Sequence, residues 1–159
     1  MVPLEVSHTV LVTEAVLDKI RNLNVRHANV GECCQVTSPP PSLSKFGLQS
    51  EFGKMVVSLL SFFRDTYKSY FGMPDPPLHD PCALAYIIDS SLFDVTRCRV
   101  DIETVSPYSA GQTVCDLANI KSYREDQKNC LVATKIDVNR FWDLMLSALV
   151  EANRFSTLS

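Results

Sequence analysis

The chain has 159 residues, 46% apolar and 21% charged, with a formal net charge of −3. That is enough chain to bury a core without metal or disulfide staples, and too apolar to be disordered as a whole. No apolar run approaches the roughly 18 to 20 residues of a membrane-spanning helix, and the slight acidic excess gives no electrostatic reason to expect nucleic acid or a membrane as partner.

Met1 leads directly into Val-Pro-Leu-Glu-Val, with no basic start and apolar block of the kind a secretory leader shows, so a cytoplasmic setting is expected. Cysteines stand at 33, 34, 82, 98, 115 and 130, without the short paired spacing a zinc site uses. In a reducing compartment they read as ordinary thiols, several of them buried as small apolar residues.

Residues 2–12 are rich in β-branched side chains and read as one or two strand pieces. Thr13 is placed to cap a helix with Glu14 in its first turn and Val16, Leu17 and Ile20 on its apolar stripe. From about 22 to 49 no period is sustained. This stretch holds Ser38-Pro39-Pro40-Pro41-Ser42 and the Cys33–Cys34 pair, and reads as an irregular insertion.

Helical spacing returns after Ser50. Phe52, Met55, Val56, Leu59, Leu60, Phe63, Tyr67 and Tyr70 predict one broad apolar face, and Gly72 with Pro74 ends the helix. A proline-stiffened loop, 75–81, then delivers His79 and Asp80 to another helix. Asp80 is the expected N-cap and Pro81 the first helical residue, while Cys82 to Ile88 is apolar enough to predict burial on all sides.

Arg97–Thr104 alternates with Cys98, Val100 and Ile102 on one face, which predicts a single half-buried strand. Ser109-Ala110-Gly111 reads as a turn into a second strand at 112–116, so the pair forms a hairpin. A polar loop at 118–128 precedes a third strand at 130–136. Asp137 then caps a last helix with Val138, Phe141, Trp142, Met145, Leu146, Leu149 and Val150 on its stripe, the tryptophan serving the core. Strands mixed with apolar helices give an α/β class.

Three histidines are present, His8, His27 and His79. His27 reads as solvated and His8 as hydrogen-bonded in place on a strand. His79 stands beside a carboxylate at the mouth of a helix, which suits a general acid or a metal site. Equally, Asp before Pro at a helix start is a good cap and needs no ligand. Phe63 and Tyr67, four apart on one helix, read either as core or as a platform for a planar ligand.

The stretches MVPLEVSHTVLVTEAVLDKI, LHDPCALAYIIDSSLF, RCRVDIETVSPYSAGQTVCDL and VATKIDVNRFWDLMLSAL, in that order, resemble the C-terminal half of the inosine–uridine-preferring nucleoside hydrolases. The resemblance implies an open, mainly parallel or mixed sheet flanked by helices, and hydrolysis of ribonucleosides such as inosine and uridine to ribose and base. It also implies Ca²⁺ as cofactor and a homo-oligomer for the complete protein. On this chain it makes His79 the proton donor to the leaving base and Asp80 a calcium ligand. Tyr67 and Phe63 become aromatics near the base, Phe63 without the hydroxyl some members carry there.

The family's aspartate cluster of the form DxDxGxDD has no counterpart among the 159 residues. One aspartate cannot supply an oxygen-ligand site that takes six to eight donors, so the chain alone is expected to be inactive. A short non-catalytic form packing on a full-length partner is the alternative. A phosphohydrolase with a His-Asp metal centre is a third reading, for which His8 and His27 are poorly placed.

Overall fold

A computed structural model describes residues 1–22 and 50–158. The 22–49 segment beyond Asn22, with His27, Cys33 and Cys34, lies outside the described residues. The elements are α1 Leu4–Ser7, α2 Glu14–Arg21, α3 Glu51–Phe71 and α4 Asp80–Ile88, then β1 Phe93–Cys98, β2 Val100–Ile102, β3 Thr113–Cys115, β4 Cys130–Ile136 and α5 Val138–Phe155. They divide into two compact units, residues 1–10 with 77–141, and residues 11–76 with 142–159.

In the first unit β1 and β4 pair antiparallel, from Phe93 opposite Ile136 to Cys98 opposite Cys130. The register slips between Asp94 and Val95, leaving Thr134 as a bulge whose hydroxyl donates to the Asp94 carbonyl at 3.2 Å. The hairpin is present: β2 and β3 pair antiparallel and Gly111 turns the chain at φ +91°. The expected single strand over 97–104 is instead two strands in different sheets. At the break the Asn129 side chain takes the place of a strand, accepting from Val100 N–H at 2.8 Å and donating to Val100 C=O at 2.9 Å. The backbone can therefore leave one ladder and enter another without losing its hydrogen bonds. Cys98 points inward as expected, but Ile102 is exposed. The α/β class holds. Both described strand pairs are antiparallel, so any parallel part of the expected sheet lies outside them.

The strand expected over 2–12 is replaced at 4–7 by one helical turn. Pro3, at φ −79°, has no N–H to give a ladder, and its carbonyl takes the N–H groups of both Val6 and Ser7. Local closure thus overrides β propensity. Along β4, Ala133 N–H donates to the Met1 carbonyl at 2.9 Å. At the other end of the unit Asp137 caps α5, its carboxylate accepting from Arg140 N–H, and Phe141 is fully buried.

Unit two is built on α2 and α3. Thr13 Oγ1 caps α2, and Val16, Leu17 and Ile20 are its buried stripe, as the spacing predicts. Glu14 joins the two helices by ion pairs to Arg21 and Arg64, which hold its carboxyl below the usual range. Ser50 caps α3, and Gly72 ends it in the left-handed region at φ +67°. Of the broad face expected on α3, Leu60 is buried and Phe52 and Val56 are half-buried, whereas Met55, Leu59, Phe63 and Tyr70 are exposed. Trp142 is buried, as its core reading requires.

Candidate functional site

The loop 75–78 places the site. Pro76 and Pro77 are buried, and the Leu78 N–H donates to the Val10 carbonyl at 3.0 Å. His79 then takes the N-cap position of α4 at φ −89°, ψ −64°, one residue earlier than Asp80, the cap the sequence suggests. Asp80 is the first helical residue and Pro81 follows it. The shift has a simple cause: the His79 carbonyl already accepts the Cys82 N–H, so the turn closes before Asp80. Asp80 is exposed, with its carboxylate at the positive end of the helix.

Cys82 anchors the turn from inside. It is fully buried, its thiol donates to the Leu78 carbonyl at 2.9 Å, and burial pushes that thiol up to about 11. Ala85 lies on the same inner face. The outer face of α4 departs from expectation: Leu84 and Ile88 are each 64% exposed and Ile87 78%. The described residues cover only one side of a helix whose composition suits cover on every side.

His79 is half-buried, and two residues from the start of the chain meet it. The Ser7 hydroxyl lies 2.8 Å from Nδ1, and the His8 ring stands 5.3 Å away, centroid to centroid, tilted by 52°. Ser7 is 2% exposed. His8 is exposed and forms the C-cap of α1, its N–H bonded to Leu4 C=O, rather than lying on a strand. Burial first, and then the charge of His8, hold His79 below the ordinary imidazole range, with Asp80 pulling the other way.

Sequence reading missed the Ser7–His79 pair and judged His8 badly placed only for a His-Asp metal centre. Nothing local announces a contact across 72 positions. The one available hint is Pro3, which turns residues 4–7 helical and brings Ser7 and His8 to the end of that turn.

Tyr67 and Phe63 belong to the second unit. Tyr67 is half-buried with its ring 5.1 Å from that of Phe71, while Phe63 is exposed and meets Phe62 edge-on at 6.1 Å. The structure brings together His79, Asp80, Ser7 and His8. A groove of about 660 Å³ in the first unit, lined by residues 1–6 and parts of β3 and β4, contains none of the four predicted site residues.

Among the described residues no three His, Cys, Asp or Glu side chains converge on a point that could hold a metal ion. Asp80 is one carboxylate where calcium wants several. The described residues therefore do not make a calcium site by themselves. Nor is any described helix long and apolar enough to cross a membrane.

Residues 1–143 match the model of the family described as inosine–uridine preferring nucleoside hydrolase. A probable ribonucleoside hydrolase of Dictyostelium discoideum is 42% identical over 149 residues, covering 94% of this chain and 37% of that protein. The inosine–uridine preferring nucleoside hydrolase of Crithidia fasciculata is 28% identical over 149 residues, covering 94% and 38%. Among solved structures, the purine-preferring ribonucleoside hydrolase from Gardnerella vaginalis superposes with a TM-score of 0.69 at 19% identity, over 98% of this chain and 40% of that one. The chain corresponds to the C-terminal part of such proteins and spans under two fifths of the length of these curated relatives, somewhat less than the half its motifs suggest.

Proposed function

Because this chain belongs to the inosine–uridine preferring nucleoside hydrolase family, we propose that it supplies the leaving-group side of a site that hydrolyses the N-glycosidic bond of ribonucleosides. The observation that carries the reading is His79. It is a half-buried imidazole at a helix start, Nδ1 engaged by a buried hydroxyl and a carboxylate next to it in sequence.

As the glycosidic bond breaks, its electron pair moves onto the base nitrogen. A base that receives a proton leaves as a neutral molecule, a far better leaving group than its anion. His79 gives that proton and ends neutral. Its lowered pKa makes the imidazolium a stronger acid while thinning its population near pH 7. Asp80 would offer one ligand to calcium, with the remaining donors supplied from outside the described residues.

On this reading the 159-residue polypeptide alone releases no ribose from inosine or uridine. A longer polypeptide that joins it to an N-terminal aspartate cluster does so, and His79→Ala lowers its kcat at least tenfold while leaving calcium affinity within a few-fold. Asp80→Ala weakens both. Ribose release by the purified 159-residue chain, abolished by His79→Ala, would overturn the claim that the cluster is needed. Unchanged kcat for His79→Ala in the longer protein would overturn the proton-donor role.

A further inference from the structure

Ser7 combines three observations. It is a buried polar residue, its hydroxyl is 2.8 Å from His79 Nδ1, and the same hydroxyl lies 3.4 Å from the Leu4 carbonyl. A hydroxyl has one proton to give and two lone pairs to receive with. With a neutral ring, the short contact takes the proton: Oγ–H donates to Nδ1, and the ring's own proton sits on Nε2. With a charged ring, Nδ1–H donates to Oγ, and the hydroxyl proton turns to the Leu4 carbonyl. Both protonation states of His79 thus find a partner at Nδ1 without the ring moving.

We propose that Ser7 is a positioning residue for His79: its hydroxyl engages Nδ1 in either protonation state, as donor to the neutral ring and acceptor from the charged one, so Nε2 carries a proton in both. This deepens the leaving-group role and rests on it for its functional meaning, although the tautomer itself does not depend on turnover. When the imidazolium gives up its Nε2 proton, the ring is left neutral with Nδ1–H still on Ser7 Oγ. Solvent then returns a proton to Nε2, which restores the imidazolium with Nδ1–H still on Ser7 Oγ. Among the described residues, His8 and Asp80 are titratable groups that bear on the ring.

The test uses the 159-residue chain with ¹⁵N-labelled histidine. It has three imidazoles, so the spectrum is simple, and His79→Gln assigns the signal. At a pH where the rings are neutral, long-range ¹H–¹⁵N correlation is expected to show His79 as one tautomer, Nε2 protonated and Nδ1 bare. Ser7→Ala should move the Nδ1 resonance toward the averaged position of an unfolded chain, and Ser7→Thr should return it, with the His8 signals unchanged throughout. Averaged nitrogens or an Nδ1–H tautomer in the unmutated chain would overturn the proposal, as would an identical spectrum for Ser7→Ala. Should Ser7→Ala not fold, the unmutated spectrum still decides, and Ser7→Cys repeats the comparison with a weak donor of similar shape. An ordered tautomer beside a longer protein that hydrolyses no nucleoside would reject the function and retain the positioning.

Discussion

The outer face of α4 offers a quantitative test of how far the described residues cover it. Ile87 is 78% exposed, so only about a fifth of its side chain is withdrawn from water. Burying an isoleucine fully contributes about 1.5 to 3 kcal/mol, so Ile87→Lys forfeits roughly 0.5 kcal/mol of burial. The new cation stands in the last turn of α4, where the helix dipole returns about 0.3 to 1 kcal/mol. The two terms cancel, and the urea midpoint should stay within the equivalent of about 0.5 kcal/mol of the unmutated chain. Phe141→Ala, in the same unit and 1% exposed, supplies the scale, since emptying a buried phenylalanine costs about 3 to 5 kcal/mol. Urea unfolding followed by circular dichroism compares the two, and sedimentation velocity records self-association, which Ile87→Lys should reduce. A loss of 2 kcal/mol or more for Ile87→Lys would refute the reasoning, because it would require Ile87 to be covered.

Three further outcomes are expected. Gly72→Ala should cost about 1 kcal/mol purely through backbone strain at φ +67°, since a Cβ there meets nothing within 4 Å, and Gly72→Asn should recover part of it; equal urea midpoints for all three would show the αL cap to be dispensable. Cys82, buried and pushed up to about 11, should resist iodoacetamide at pH 8 in the folded chain and label readily in urea, as read by peptide mass spectrometry; equal labelling in both states would contradict its burial. His79 binds its proton less tightly folded than unfolded, so its contribution to stability is full above the unfolded value of about 6.5 and is lost as pH falls through the lowered folded one. His79→Gln should remove that slope from urea midpoints measured across the acid limb, and an unchanged slope would count against it.

Local chemistry was legible where it was also decisive. Thr13, Ser50 and Asp137 cap the helices the sequence assigns to them, Gly72 stops α3, and β4 runs from Cys130 to Ile136 as its pattern predicts. Alternation failed at Arg97–Thr104 because a side chain, Asn129, can stand in for a strand and divide one apparent run between two sheets. Propensity failed at Leu4–Ser7 because one proline upstream outweighed several β-branched residues. Apolar composition over-predicted burial on α3 and α4, since it records which surfaces suit cover and not whether the described residues provide it. At the site, His79 and Asp80 could be read from their loop, whereas Ser7 could not. A hydrogen bond spanning 72 positions leaves no periodic trace in sequence.

The pairing of α2 with α3 through Glu14 and Arg64 bears on how sequences of this kind can drift in length. The two helices are joined by side chains on their own surfaces. Each doubling of a flexible connection adds about 0.6 kcal/mol of closure entropy, less than one good helix cap contributes. Insertions or deletions between Asn22 and Ser50 are therefore thermodynamically cheap, and a lineage can accumulate them there while the surroundings of His79, built from residues before α2 and after α3, stay as they are.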